Sequence, residues 1–483
     1  MDRKPFARMH YALDQLQNTD LLFPDLAKIS KGLQEKEILE LSSSKLNATQ
    51  MKIVSHIVKE RHGYTPPMIV YGPFGTGKTE TLAQATRTLV ENVPLARILI
   101  CTMSNSAADV YLEKYLGDLP SSIGIGMKRV VTTEKKPSNT SQKVLEHCFL
   151  SEDRTRFVKP ERSDLEGQKI IITTFTNSLS LFRLGLRGSF THIFIDEAGQ
   201  ALECEAMMPM LLAGTNTCVV LAGDHIQIRP KVYSKEAERQ GFHESLLERL
   251  FYFYQRYTHL TPVLTTPLHT LLHINYRSNH EIVQYLAKAF YNEKLVCESM
   301  LPSCDNVQSM MFMTVKGEEV QDQDGRSYYN VSEASEVSDA VKQLLDCWPQ
   351  EWGERRPRTI AVVTPYQDQV KLIRDNLRKK RLKDVTVERV HNVQGREFRA
   401  IFISTVRTFH ICDALPDESS NASDYGFLTD KKLLNTAMTR AQSLVAVVGD
   451  PIALCAIGVC LSVWRTFIEH CDHLGSIHPA NVN

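Results

Sequence analysis

Long uninterrupted hydrophobic runs are missing from this chain. The longest apolar stretch, Leu444 to Trp464, is broken by Gly449-Asp450-Pro451, so it reads as a buried strand followed by a helix rather than a membrane span. The opening residues, MDRKPFARMH, have no apolar segment behind their charges and do not read as a secretory signal. Charge of one sign is also missing. Lys plus Arg and Asp plus Glu are 56 each, so no net field draws the protein to polyanions, and nucleic-acid contact requires a local basic groove. The 11 cysteines include no C-x-x-C pair, Cys455 and Cys460 being the closest two, which points to scattered buried thiols in an intracellular protein, cytoplasmic or nuclear, rather than to disulfides or zinc. What is present in quantity is apolar residue, 43% of 483, enough to fill two or three cores.

The stretch MIVYGPFGTGKTET, Met68 to Thr81, organises the rest. Gly72, Pro73, Phe74, Gly75, Thr76, Gly77, Lys78 and Thr79 fit G-x-x-x-x-G-K-[ST], a phosphate-binding loop. Its glycines let backbone N–H groups turn inward on phosphates, while Lys78 adds a point charge and Thr79 a hydroxyl for Mg²⁺. Ile69-Val70-Tyr71 precede it as a strand, and Leu82, Ala83, Ala85 and Leu89 follow at helical spacing, so a helix N-terminus faces the anion. A second anchor is HIFIDEAGQ, an apolar strand ending in Asp196-Glu197. It delivers one carboxylate to hold Mg²⁺ and one to polarise an attacking water at the edge where open α/β sheets bind ligands.

Around these anchors, strand-like segments alternate with helices: Arg97 to Thr102, Lys169 to Thr173, His192 to Ile195 and Cys218 to Leu221. Such continuous apolar strands between helices predict a parallel sheet covered on both faces. Residues 1–45 read as a helical arm packed on the main body, and Asn47 as the N-cap of a helix carrying Gln50 in its first turn. The polar stretch at about 115–167 reads as an insertion riding on the first domain. THLTPVLTTPLHT, Thr258 to Thr270, marks the boundary, dividing the chain into a first domain over 46–262, a second over 263–475 and a tail at 476–483. The second half repeats the alternation, from a strand at Leu271 to Ile274 to one at Leu444 to Val448, without a phosphate loop of its own. That half is expected to close over the nucleotide of the first, with Tyr276-Arg277, Gln394-Gly395-Arg396-Glu397 and Thr439-Arg440 as its candidate contacts.

The order of short motifs is specific. Gln50, GPFGTGKT at 72–79, SNSAAD at 104–109, DEAGQ at 196–200, GDHIQIRP at 223–230, NYR at 275–277, TPYQDQ at 364–369, VQGREF at 393–398 and NTAMTRA at 435–441 resemble the motif series of superfamily 1 helicases. They look most like the up-frameshift branch of RNA helicases and, within it, the helicases with a zinc finger, one of which is also named as a nuclear-receptor coactivator. The match covers residues 46 to about 455. It implies two tandem RecA-like α/β domains with one ATP and Mg²⁺ between them.

Carried over residue by residue, the resemblance implies catalytic roles for Lys78, Asp196, Glu197, Gln227, Arg277 and Arg440, with Thr79 and Asp196 on the metal. It further implies nucleotide contacts at Gln50, Gly72, Pro73, Phe74, Gly75, Thr76, Gly77, Lys78, Thr79, Glu80, Tyr276 and Glu397. In that scheme Gln50 reads adenine, Tyr276 stacks on it and Glu397 meets the ribose. A single strand, RNA favoured, is expected near Ser104, Asn105, Thr174, Pro365, Tyr366 and Thr405. The activity implied is 5′ to 3′ translocation driven by ATP hydrolysis, with protein partners in RNA decay or transcription. An ATP-switched clamp or coactivator scaffold that never unwinds, and a DNA helicase of the same superfamily, remain open alternatives. Two departures stand out: Arg229 occupies a position where the branch has a small residue, and neither the family's β-barrel insertion nor a Cys/His zinc module is visible, which is the pattern of one module of a longer protein.

Overall fold

The computed structural model describes residues 3–479, apart from 18, 27–44, 60–64, 120–124, 233, 261–267, 303, 305, 323–326 and 410–421. It divides into two compact units. The first comprises 1–72, 77–225 and 229–272, and the second comprises 73–76, 226–228 and 273–483.

The first unit is built on a seven-stranded sheet in the order β3-β4-β2-β5-β6-β1-β7. Its strands are β1 (Met68–Tyr71), β2 (Ile98–Thr102), β3 (Met127–Arg129), β4 (Ile170–Thr174), β5 (His192–Asp196), β6 (Cys218–Gly223) and β7 (His269–Leu271). Every pairing is parallel. β1, β2, β5 and β6 are apolar along nearly their whole length because helices cover both faces, and a strand buried on two sides has no solvent face to alternate towards. One core packs Ile53, Ile57, Leu82 and Leu89, from helices Ala48–Val58 and Lys78–Asn92, against Val70, Ile98, Ile100 and Phe194 of the sheet. Helix Ala48–Val58 starts where expected. Asn47 Oδ1 accepts from Gln50 N (2.9 Å) and Gln50 Oε1 accepts from Asn47 N (3.0 Å), a reciprocal pair that satisfies two amides otherwise left open at a helix start. At the amino terminus, helix Lys4–Asp14 buries Met9 and Ala12 and packs on helix Glu203–Met210.

The second unit carries a six-stranded parallel sheet in the order β14-β13-β15-β16-β10-β17. Those strands are β10 (Met310–Thr314), β13 (Ile360–Thr364), β14 (Thr386–Arg389), β15 (Phe398–Ser404), β16 (Ala441–Gly449) and β17 (Ile477–His478). Two ribbons flank it: β8 (Ile274–Asn275) with β9 (Val296–Cys297), and β11 (Glu319–Gln321) with β12 (Tyr328–Asn330). Its sheet is sandwiched between one core centred on Phe312, Ile401, Val445 and Trp464 and another centred on Val341, Val362, Phe402 and Ala446. Two tandem parallel-sheet α/β units are the RecA-like architecture that the motif order implies.

Three sequence expectations are refined. The strand placed at the start of the second half is two strands: β7 pairs with β1, so the first unit runs to Leu272 rather than 262, while β8 belongs to the second unit. Proline- and threonine-rich punctuation marked a loop, but the chain returns to the first sheet after it; residues 261–267 themselves lie outside the described residues. The segment at 115–167 is more than a polar cover. It supplies β3, an edge strand of the sheet, and buries Val144, Phe157 and the side chain of Arg129. Polar composition concealed this because Arg129 is internally paired, with Nε 3.0 Å from Asp109 Oδ1. The carboxy-terminal tail over 476–483 likewise begins inside the sheet, as β17 beside β10.

Candidate functional site

In the first unit, the polar residues converge where β1, β2 and β5 end. Helix Lys78–Asn92 begins at Gly77, whose φ of +79° is left-handed, and a Cβ there would lie 2.6 Å from Gln50 Nε2. Glycine is therefore required twice over, for the turn and for the close approach of Gln50. Lys78 Nζ donates to Gly72 O (2.6 Å), so the lysine lies along its own loop. Thr79 Oγ1 donates to Asp196 Oδ2 (2.9 Å), which joins the helix start to the end of β5, and Glu80 follows in the helix's first turn. Asp196 is buried. Its other oxygen accepts from the backbone N–H of Glu197 (2.9 Å), a residue held at φ +61°. A non-glycine residue in that region is uncommon and costs energy, and such positions cluster at functional sites.

Tyr111 has no counterpart among the expected residues. Its hydroxyl donates to Asp196 Oδ2 at 2.8 Å, and burial first, then the Asp196 charge, push its ionisation far above the ordinary tyrosine range. It stays a neutral donor, a lasting support for that carboxylate. It opens a π-helical turn, Tyr111–Leu116, and turns of this kind are often found at functional positions. Nothing in the local sequence announces the role, because the contact spans 85 residues.

In the second unit, the short segments 73–76 and 226–228 are joined by residues from several elements. Thr76 Oγ1 donates to Pro73 O (2.8 Å). Asn275, fully buried, donates from Nδ2 to Phe74 O (2.7 Å), and its Oδ1 accepts from the N–H groups of Arg277 (2.9 Å) and Ser278 (3.0 Å). Tyr276 N donates to Gly75 O (2.9 Å), and a Cβ at Gly75 would stand 2.6 Å from Arg277 Cβ. Arg277 Nε meets Glu397 Oε2 at 3.0 Å and its Nη1 donates to Thr439 O at 3.3 Å. Arg440 is 4% exposed; it donates to Thr436 O (3.1 Å), and its guanidinium also bonds the amide oxygen of Gln227. Arg277, Glu397, Gln227 and Arg440 are thus brought together as two ion-pair or hydrogen-bond couples, and the Tyr276 ring stands 39% exposed. The structural importance of Asn275 went unread, although it heads the NYR motif. Arg229, the departure, pairs with Glu248 in the first unit (3.3 Å).

The residues expected near a strand fall on two sheet edges. Ser104 and Asn105 follow β2 and Thr174 ends β4, its neighbour. Ser104 Oγ caps its helix at Ala107 N (3.1 Å), and Asn105 Oδ1 accepts from buried Arg129 (2.8 Å). Pro365 and Tyr366 follow β13, and Thr405 follows the adjacent β15. Thr405 and Tyr366 are not presented as open side chains, with 2% and 8% of their surface exposed. The hydroxyl of Thr405 bonds Glu333 Oε1 (3.3 Å) and Val448 O (3.4 Å), an internal demand that motif order does not reveal. Ten described cysteines are free, and no described helix is long and apolar enough to cross a membrane.

Two family models, each described as an AAA domain, match residues 45–235 in two overlapping pieces and residues 242–452. A human protein named as a probable helicase with zinc finger domain is 42% identical over 496 residues, covering 99% of this chain and 25% of its own length. The human 3'-5' exoribonuclease HELZ2 is 35% identical over 494 residues, covering 100% of this chain and 16% of its own. Human RNA helicase Mov10l1 is 33% identical over 412 residues, covering 80% of this chain and 32% of its own. The chain therefore spans about a quarter or less of the length of the first relatives it matches. With both halves matched in order, the chain belongs to the superfamily 1 helicases and is similar to the proteins named as probable helicases with a zinc finger domain.

Proposed function

We propose that this chain is an ATP-hydrolysing motor that translocates 5′ to 3′ on single-stranded RNA. The observation that carries the proposal is the Thr79–Asp196 pair beside strained Glu197, at the end of β5 and the start of the Lys78 helix. ATP is the substrate. Glu197 orients the attacking water and takes its proton as the bond to the γ-phosphorus forms and the β–γ bridge oxygen leaves. Lys78 sets positive charge against the phosphates, and the amides of the 72–79 loop and the helix start cradle them. Hydroxyl and carboxylate oxygens 2.9 Å apart form a hard-oxygen donor set that fits Mg²⁺, so Thr79 and Asp196 are the residues to hold it. Held there, the ion would supply positive charge against the phosphates.

Gln227, Arg277 and Arg440 are the proposed stabilisers of charge on the transferred phosphoryl group. Arg440 is already desolvated and held by three acceptors, as a preorganised donor must be. Gln50 offers its Nε2 to adenine while its oxygen caps the helix, Tyr276 offers an exposed ring for stacking, and Glu397 is proposed to turn from Arg277 to the ribose. RNA is preferred over DNA because relatives at 33–35% identity are named for action on RNA.

The test is nucleic-acid-stimulated ATPase measured beside strand displacement, with RNA and DNA oligomers of one sequence carrying 5′ or 3′ overhangs. Stimulation by RNA and displacement from the 5′ overhang is the expected result. Stimulation without displacement identifies a clamp or scaffold instead, and equal use of DNA removes the RNA preference.

A further inference from the structure

Beyond β15, three backbone N–H groups of the chain are held by acidic side chains from elsewhere in the second unit. Val406 N donates to both oxygens of Glu333 (3.0 and 2.8 Å), Thr408 N to Glu319 Oε2 (2.7 Å) and Phe409 N to Asp450 Oδ2 (2.9 Å). Glu333 also accepts from Ser404 Oγ (2.7 Å) and Thr405 Oγ1 (3.3 Å), and it is 1% exposed. Between these contacts Val406 sits at φ +72°. For a β-branched residue this is a genuine outlier, and it persists only where surrounding contacts over-determine it. Val406 N–H meeting a carboxylate is such a contact.

The turn leads to Arg407. Its guanidinium pairs with Glu319 (2.9 Å), lies over the rings of Tyr328 (4.1 Å) and Tyr425 (4.6 Å), and hydrogen-bonds the hydroxyl of Tyr366. Gln369, one helical turn beyond Tyr366, completes the loop of contacts. Its Nε2 donates to Ser404 Oγ (2.9 Å), and its Oε1 accepts from Asn330 N (2.9 Å). Asn330 in turn caps the helix that carries Glu333 (3.0 Å). The segments 364–369 and 404–408 are therefore joined directly, by Gln369 with Ser404 and by Arg407 with Tyr366, and one buried carboxylate holds the second of them in place.

A buried carboxylate without a use is an odd thing to keep. Taking it out of water is costly, and burial does push the Glu333 carboxyl up to about 7 in spite of its hydrogen bonds. A glutamine or an apolar residue could fill the space at lower cost. What neither supplies is two acceptor oxygens on one side chain, able to hold two hydroxyls and a left-handed amide together.

We infer that Glu333 is a positioning residue for single-strand binding. By pinning the Ser404–Val406 turn, it aims Arg407 at Tyr366 and so sets the shape of the Pro365–Tyr366 edge on which a strand rests. The inference depends on the strand-binding reading proposed above. It assigns no contact with the strand to Glu333 itself and no part in handling ATP.

The experiment uses the whole chain and a fluorescent oligouridine. Strand affinity, the strand concentration giving half-maximal ATPase stimulation, the KM for ATP, unstimulated turnover and the melting temperature are measured for wild type and Glu333→Gln. The expected result is a loss of strand affinity of about tenfold, on the scale of one hydrogen bond to a charged group, with a matching rise in the half-stimulating strand concentration. KM for ATP and unstimulated turnover stay at wild-type values. A merely structural role would lower the melting temperature and move ATP and strand parameters together, which overturns the proposal. So does wild-type strand affinity in a folded Glu333→Gln. Should that variant fail to fold, Ser404→Ala removes one donor from the same carboxylate, and an unchanged strand affinity there overturns it equally. If the wild-type chain itself binds no strand, the strand-binding reading fails first and the positioning role falls with it.

Discussion

The two units share a parallel sheet covered by helices and differ in what the polar groups at the strand ends do. In the first, Asp196 gathers a threonine hydroxyl, a tyrosine hydroxyl and a strained backbone amide beside a glycine-built helix start. In the second, Glu333, Glu319 and Asp450 gather amides and hydroxyls of the chain's own turn after β15. The same architecture thus supports two uses of a carboxylate, one proposed to act on a substrate and one that shapes a surface. A parallel sheet ends in loops at one edge, and what those loops bind is set by side chains rather than by the fold.

Substitutions can break this comparison. The largest effect is expected at Glu197→Gln. With the proton acceptor gone, ATP turnover should fall by roughly 10² to 10⁴ while ATP affinity is retained, measured by single-turnover hydrolysis and equilibrium binding. Retained turnover would remove Glu197 from the chemistry and, with it, the contrast between the two edges. Next comes Arg129→Leu, which leaves Asp109 with Lys135 as its ion-pair partner. Chemical denaturation should show a loss of about 3 kcal/mol, because a buried carboxylate loses its guanidinium. Little change would mean that the 115–167 segment is as loosely attached as its composition implies.

Tyr111→Phe is a subtler change. It withdraws one of the hydrogen bonds to buried Asp196, at an expected cost of about 1 to 3 kcal/mol, and it should weaken the Mg²⁺ dependence of ATPase more than ATP binding. Equal Mg²⁺ dependence in variant and wild type would make this tyrosine a packing residue.

The smallest effect is a pH slope. Because the folded-state carboxyl of Glu333 lies at about 7, above its ordinary value of 4.5, the folded chain binds that proton more tightly than the unfolded chain. Its stabilising contribution is complete below about 4.5 and is lost as pH rises through about 7. Wild-type stability should therefore fall between pH 5 and 8 relative to Glu333→Gln, when both are followed by denaturant midpoint. Parallel pH profiles would place the carboxyl in an environment like water and erase the difference between the two carboxylates.

Much of the architecture was legible because it obeys periodicity. Apolar strands between helices gave the first sheet to within a residue or two at β2, β4, β5 and β6, and the phosphate loop needed only its glycines, lysine and threonine. Boundaries read less well. β7 looked like the second domain's first strand, since a proline-rich loop says where the chain bends but not which sheet it rejoins. β3 was hidden because its polar neighbours are satisfied by Asp109 and Asn105, and pairing of that kind has no sequence period.

By itself, the order of residues determined the fold class, the nucleotide loop and the carboxylates that follow β5, because those depend on local spacing and on burial along one strand. Only the tertiary structure decided which polar groups meet: Tyr111 with Asp196, Asn275 with Phe74, and Glu333 with the turn at Val406. Such contacts join residues from 70 to more than 200 positions apart. Hydrogen-bond satisfaction is a property of the packed interior, and no local pattern encodes it.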